Sequence, residues 1–118
     1  MSSANEQMKL RTKAFAHRCV KFAFSLPSDT LGRHIQNQLI RSSTSVAANY
    51  RAALLGQLKA AFKAKKSIVL EEVDESVFWI EFCQDEKLVI ESKIEPLLKE
   101  AKELTAIFFS TRKTLSKT

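Results

Sequence analysis

Glycine and proline are almost missing from this chain, with two of each in 118 residues. An all-β protein needs turn residues at every strand connection, so that scarcity excludes a sandwich or barrel and favours helices. Long apolar runs are missing too: none exceeds four residues, far short of a membrane span. The amino terminus, MSSANEQMKLR, lacks the apolar segment and cleavage pattern of a secretory signal. Cys19 and Cys83 form neither a CxxC pair nor a disulfide framework, and both fall on apolar stripes, so they read as buried free thiols in a reducing cytoplasm.

Chemical signatures are equally sparse. Gly32 and Gly56 stand alone, so no glycine loop cradles a phosphate, and no nucleophile elbow surrounds any serine. A di-iron bundle would need Glu-x-x-His on facing helices, and neither His17 nor His34 belongs to one. The sequence therefore predicts no catalytic residue, no metal site and no cofactor.

What is present is charge, unevenly placed. Residues 1–66 carry 12 Lys and Arg against 2 Asp and Glu, a net +10; residues 67–118 carry 7 against 11, a net −4, leaving +6 for the chain. A basic half attracts polyanions, and a basic half joined to an acidic half favours self-association.

Apolar residues recur at three- and four-residue steps in four segments, predicting helices over 4–24, 31–55, 57–84 and 94–114 in one domain. The seams are Met8, Thr12, Phe15, Cys19, Phe22 and Leu26; Leu31, Ile35, Leu39, Val46, Tyr50 and Ala53; Phe62, Val69, Val73, Ile80 and Cys83; and Ile94, Leu97, Ala101, Leu104, Phe108, Thr111 and Leu115. Leu26-Pro27 ends the first, with Asp29 or Thr30 capping the second. Gly56 marks the second helix's end, and Pro96 is placed in the fourth's first turn. Short connections imply an antiparallel, up-down-up-down four-helix bundle, an all-α fold.

The second helix contains Ser42-Ser43-Thr44-Ser45 without a break. Together with Ala47, Ala48, Ala52 and Ala53 these small residues predict a waist that lets a neighbouring helix approach, each hydroxyl bonding a carbonyl one turn back. In the third helix, Val77-Phe78-Trp79-Ile80 and Phe82 are apolar around the whole circumference, more than one bundle hides. Phe78, Phe82 and Phe109, the last lying off its seam, are the candidate oligomer interface. Glu72 and Glu75 share a helix side with Trp79 and need a cation; Arg41, with Asn49, completes a candidate structural polar cluster. Arg33, Arg51, Lys59, Lys63 and Lys66 are the candidate nucleic-acid-binding residues, read as contacts to phosphates.

Leu26-Pro27, Leu31 and then QLIRSSTSVAAN resemble the four-helix bundle family of 23S ribosomal RNA intervening-sequence proteins, with Gln38, Leu39, Arg41, Ser45, Val46 and Asn49 at matching spacing. LEEVDESVFWI is similar to that family's third helix and LLKEAKELTAIF to its fourth, so the resemblance runs from about His17 to Thr114. Tyr50-Arg51-Ala52 departs from the family's usual Ala-Glu-Gly, and no Glu follows Pro27 at the usual distance. The resemblance implies a bacterial homopentameric ring without established catalytic activity, some of whose relatives in diversity-generating retroelements bind nucleic acid and a reverse transcriptase. The resulting expectation is a non-enzymatic, cytoplasmic homo-oligomer that binds RNA or DNA. The alternative is an adaptor with a protein partner and no nucleic acid; neither reading involves a membrane.

Overall fold

A computed structural model describes residues 3–56 and 58–117, with side chains as far as residue 110. It contains four helices in chain order: α1 (Ala4–Phe24), α2 (Thr30–Leu55), α3 (Lys59–Asp85) and α4 (Glu91–Lys117). Each packs on its neighbours, α1 on α2, α2 on α3, α3 on α4 and α4 back on α1, while the backbones of the diagonal pairs stay apart. This is the antiparallel four-helix bundle that the periodicity implies.

Local chemistry sets the boundaries. Ser3 caps α1 by accepting the Glu6 amide at 3.1 Å, and Asp29 caps α2 by accepting the Gly32 amide at 2.7 Å. Gly32 is there for space: a Cβ on it would lie 1.9 Å from the Pro27 carbonyl oxygen, because the turn folds down onto the first turn of α2. Gly56 does end α2, in extended rather than left-handed geometry. Lys87, at φ 55°, makes the turn between α3 and α4.

The fourth helix departs from expectation. It begins at Glu91, three residues earlier than the periodicity placed it, so Pro96 sits in its second turn. Proline there deprives only the Ser92 carbonyl of its helical partner, and Ser92 is exposed to water. Glu91 in the first turn complements the helix dipole. Thr111 and Leu115, expected on this helix's seam, and Gln57, expected to open α3, lie outside the described side chains.

The remaining seams form one core, except that Met8, Leu31 and Phe62 are only half-buried. Phe15, Cys19, Ile35, Leu39, Val46, Val69, Val73, Ile80, Cys83, Ile94, Ala101 and Leu104 are wholly inaccessible, and Phe108 and Tyr50 nearly so. Thr12, Ser42, Ser43 and Ser76 join them as buried polar residues. At the waist, the hydroxyls of Ser42 and Ser76 meet at 2.9 Å across α2 and α3, and Ser76 also bonds the Glu72 carbonyl oxygen at 3.0 Å. Thr44 bonds the Ile40 carbonyl oxygen at 2.6 Å, and Ser42 and Ser43 reach back to Leu39 and Ile40. The serine run is helical, and each of these hydroxyls is satisfied. Burial pushes the Cys19 thiol up to about 12 and the Cys83 thiol up to about 11, which leaves both as packing groups rather than nucleophiles.

The join between α1 and α4 carries a fork. Arg11 donates from Nε and Nη2 to both oxygens of Glu100, at 2.9 and 2.7 Å, and from Nη2 to Glu103 at 3.1 Å. That hydrogen bonding lowers the Glu100 carboxyl below its ordinary range.

Candidate nucleic-acid interface

No carboxylate occurs between Asp29 and Glu71, so all of α2 and the first half of α3 carry charge of one sign. The antiparallel course converts that stretch into a cationic pole. Arg51 lies near the end of α2, and the short connection brings Lys59, Lys63 and Lys65 to the same end. The Tyr50 hydroxyl donates to Asn5 Oδ1 at 3.4 Å, placing the start of α1, with Lys9, Lys13 and a single carboxylate, Glu6, at the same end. The opposite pole is mixed: Asp29, Asp85, Glu86 and Glu91 lie among Lys21, Arg33, Lys87 and Lys93.

The five expected phosphate-binding residues do not form one group. Arg51, Lys59 and Lys63 share the cationic pole, but Arg33 stands eighteen residues from Arg51 on one helix, about 27 Å at the helical rise. Lys66 turns inward. Its ammonium lies 4.5 Å from the Phe62 ring centroid and 5.7 Å from that of Tyr50, and burial lowers its pKa. A cation held against two rings is less free to meet a phosphate than Lys59 is.

Arg41 meets Glu72 at 3.1 Å and also bonds Glu75, whose carboxylate accepts the Trp79 indole N–H at 3.2 Å. The hydrogen bond to Glu75 is the main reason the guanidinium is held above its ordinary range. Asn49 does not belong to this cluster, contrary to the sequence expectation. It lies two turns along α2, donates to the Ser45 carbonyl and hydroxyl oxygens, and accepts from Lys65 at 3.5 Å. Eight residues of helix separate it from Arg41 by about 12 Å of rise, too far for a shared carboxylate. The cluster is also wetter than a buried ion pair: the Arg41 side chain is 49 % exposed.

The three interface phenylalanines divide between two places. Phe78, 52 % exposed, packs edge-on against Trp79 at 4.9 Å and against Phe82 at 5.9 Å. His34 meets Trp79 edge-on from α2 at 5.4 Å, so this aromatic cluster covers the α2–α3 seam. Phe109, 60 % exposed, lies over the α3–α4 seam instead, beside Asp74.

Of a basic groove between α1 and α2, only Arg51 figured among the expected site residues. About 470 Å³ in volume, the groove is floored by Ala16, Val20, Ala47 and Ala48 and rimmed by Lys9, Lys13, His17 and Arg51. The sequence does carry its signal: Lys9, Lys13 and His17 recur every four residues, and so do Thr44 and Ala48. What periodicity withholds is that the two strips face each other. Among the described residues, no group of three His, Cys, Asp or Glu side chains is arranged to hold a metal ion, and no helix is long and apolar enough to cross a membrane.

Comparison with known proteins adds an independent line. The family model of the 23S rRNA-intervening sequence protein matches residues 5–110. A search of curated proteins finds no match. Among solved structures, the chain is similar to a protein of unknown function from the S23 ribosomal protein family of Bacteroides thetaiotaomicron, at 28 % identity and a TM-score of 0.81. That likeness covers 89 % of this chain and 97 % of the other. Neither description names an enzymatic activity.

Proposed function

Because the chain belongs to the 23S rRNA-intervening sequence protein family, we propose that it is a non-enzymatic, self-associating bundle that holds RNA or DNA by its phosphate backbone. The observation that carries this reading is the cationic pole: Lys59, Lys63 and Lys65 converge in a stretch without a carboxylate. Lysines on the outer turns of a helix meet phosphates as mobile point charges, which gives affinity without base discrimination. Assembly multiplies that field, and five copies is the number the resemblance implies.

Binding of this kind releases counterions and weakens steeply with salt. A structured RNA titrated at two salt concentrations is the test. Retention at low salt that falls as salt rises supports the reading. Reversing Lys59 and Lys63 to glutamate should weaken low-salt binding by about tenfold or more and lower the slope of log affinity against log salt by about 1.4 to 1.8. Absence of retention at low salt overturns it.

One observation favours the adaptor as a second reading. Phe78 stands exposed over half-buried Trp79 and Phe82, and the neighbouring Glu75 and Glu81 are each already paired with a cation, an apolar setting that suits a protein partner better than a phosphate.

A further inference from the structure

The two long seams of the bundle, α1–α2 and α3–α4, lie on opposite sides and have complementary shapes and charges. On the α1–α2 side, alanines at 16, 47 and 48 leave a hollow, and Lys9, Lys13, His17 and Arg51 surround it. None of these four side chains has a carboxylate within ion-pair distance among the described residues. On the α3–α4 side, Phe109 stands out between two shallow depressions, one lined by Leu70, Glu71 and Asp74 and the other by Asp74, Val77, Glu81 and Lys102. Lys102 pairs with Glu81 at 3.5 Å, which leaves Glu71 and Asp74 as the unpaired acids there among the described residues. One side is a basic socket with an apolar floor. The other is an aromatic knob among acids.

Their heights agree as well. The Tyr50 and Phe108 rings pack together inside the bundle at 5.6 Å between centroids. Arg51 and Phe109, the next residues along α2 and α4, therefore lie at one level on opposite sides. A neighbour placed alongside with the same axial orientation brings its Phe109 to the groove without sliding along the axis.

We infer that copies of this chain associate head to tail, the Phe109 knob of one entering the α1–α2 groove of the next, with Asp74 and Glu71 facing Lys13 and Arg51. The inference rests on the self-association in the proposed function and specifies its contact. Such a contact is heterologous: each copy presents a donor face and a different acceptor face. The knob is an apolar anchor in a desolvated hollow, and the charges around it set orientation and suppress a reversed approach.

The test uses two variants of the full chain, each altered at an exposed position. Phe109→Asp removes the knob and leaves the groove. Ala48→Glu fills the groove floor with a carboxylate and leaves the knob. Circular dichroism confirms that both remain helical, and native mass spectrometry reads their assembly. Each variant alone should be monomeric where the wild type is assembled, its dissociation constant raised by about thirtyfold or more. Mixed, they should form a one-to-one complex and nothing larger, because one intact knob and one intact groove remain between them. A wild type that is monomeric at micromolar concentration overturns the self-association itself. An assembled wild type whose variants stay assembled alone, or stay separate when mixed, overturns the head-to-tail contact only. Loss of RNA binding in Ala48→Glu with unchanged mass also overturns it, by assigning the groove to nucleic acid.

Discussion

The α1–α2 half and the α3–α4 half of the bundle solve the same packing problem with opposite materials. The first uses small residues and close approach: Gly32 under the Pro27 carbonyl, Ser42 and Ser43 inside, and Ala47 and Ala48 leaving a groove at the surface. The second uses bulk, and Phe78 and Phe109 remain outside because a single helical stripe cannot bury them. Charge follows the same division only in part: the first pair of helices is net basic, whereas Lys59, Lys63, Lys65 and Lys66 at the start of α3 offset the carboxylates of the second pair. The bundle is hollow along one side and projects along the other.

The first half is most sensitive at its tightest approach. Gly32→Ala places a Cβ against the backbone carbonyl of Pro27, and the turn must move to admit it. Denaturant unfolding should register a loss of about 1–3 kcal/mol, the range for overpacking a site that cannot yield. An alanine at the Gly56 position, whose nearest neighbour would lie at 3.3 Å in extended backbone, should cost far less.

Next comes the seam between the halves. Ser42→Ala removes one hydroxyl of the Ser42–Ser76 pair, but Ser76 still bonds the Glu72 carbonyl oxygen. The expected cost is about 0.5–1.5 kcal/mol, and a double-mutant cycle with Ser76→Ala reads the coupling directly. A zero coupling energy would show that the two hydroxyls do not support each other.

The other join between the halves, Arg11 with Glu100, sharpens the comparison through pH. The folded state lowers the Glu100 pKa, so its contribution is present above the unfolded carboxyl value and is lost as pH falls through the folded one. Glu100→Gln should therefore be less stable than wild type near neutrality, with the gap closing on acidification below about pH 4. A gap that widens toward acid would reverse the assignment.

Arg41→Met should have the smallest effect, between about 0 and 1 kcal/mol in thermal or denaturant unfolding, because that guanidinium is half exposed and screened. A larger loss would mean that the Glu72 and Glu75 carboxylates depend on it for more than surface pairing.

Apolar spacing and turn chemistry determined the fold. Leu39, Val46, Tyr50, Val73 and Phe108 were legible as core because three- and four-residue steps leave a helix only one face to bury. The end of α1 was legible at Leu26-Pro27 because proline restricts the residue before it. The start of α4 was not, since a proline in its second turn is tolerated only where water serves the carbonyl it abandons. Of the candidate sites, the Arg41 ion pairs were legible from opposite charges placed to meet across two helices. Tertiary structure alone decided that Asn49 stands apart from them and that Lys66 turns onto Phe62 and Tyr50. It also decided that Arg33 and Arg51 occupy opposite poles, and that Lys9, Lys13 and His17 join Arg51 around a groove. The reason is geometric. Periodicity fixes the face of a helix on which a residue lies, whereas the direction and height of the neighbouring helix determine what that face meets.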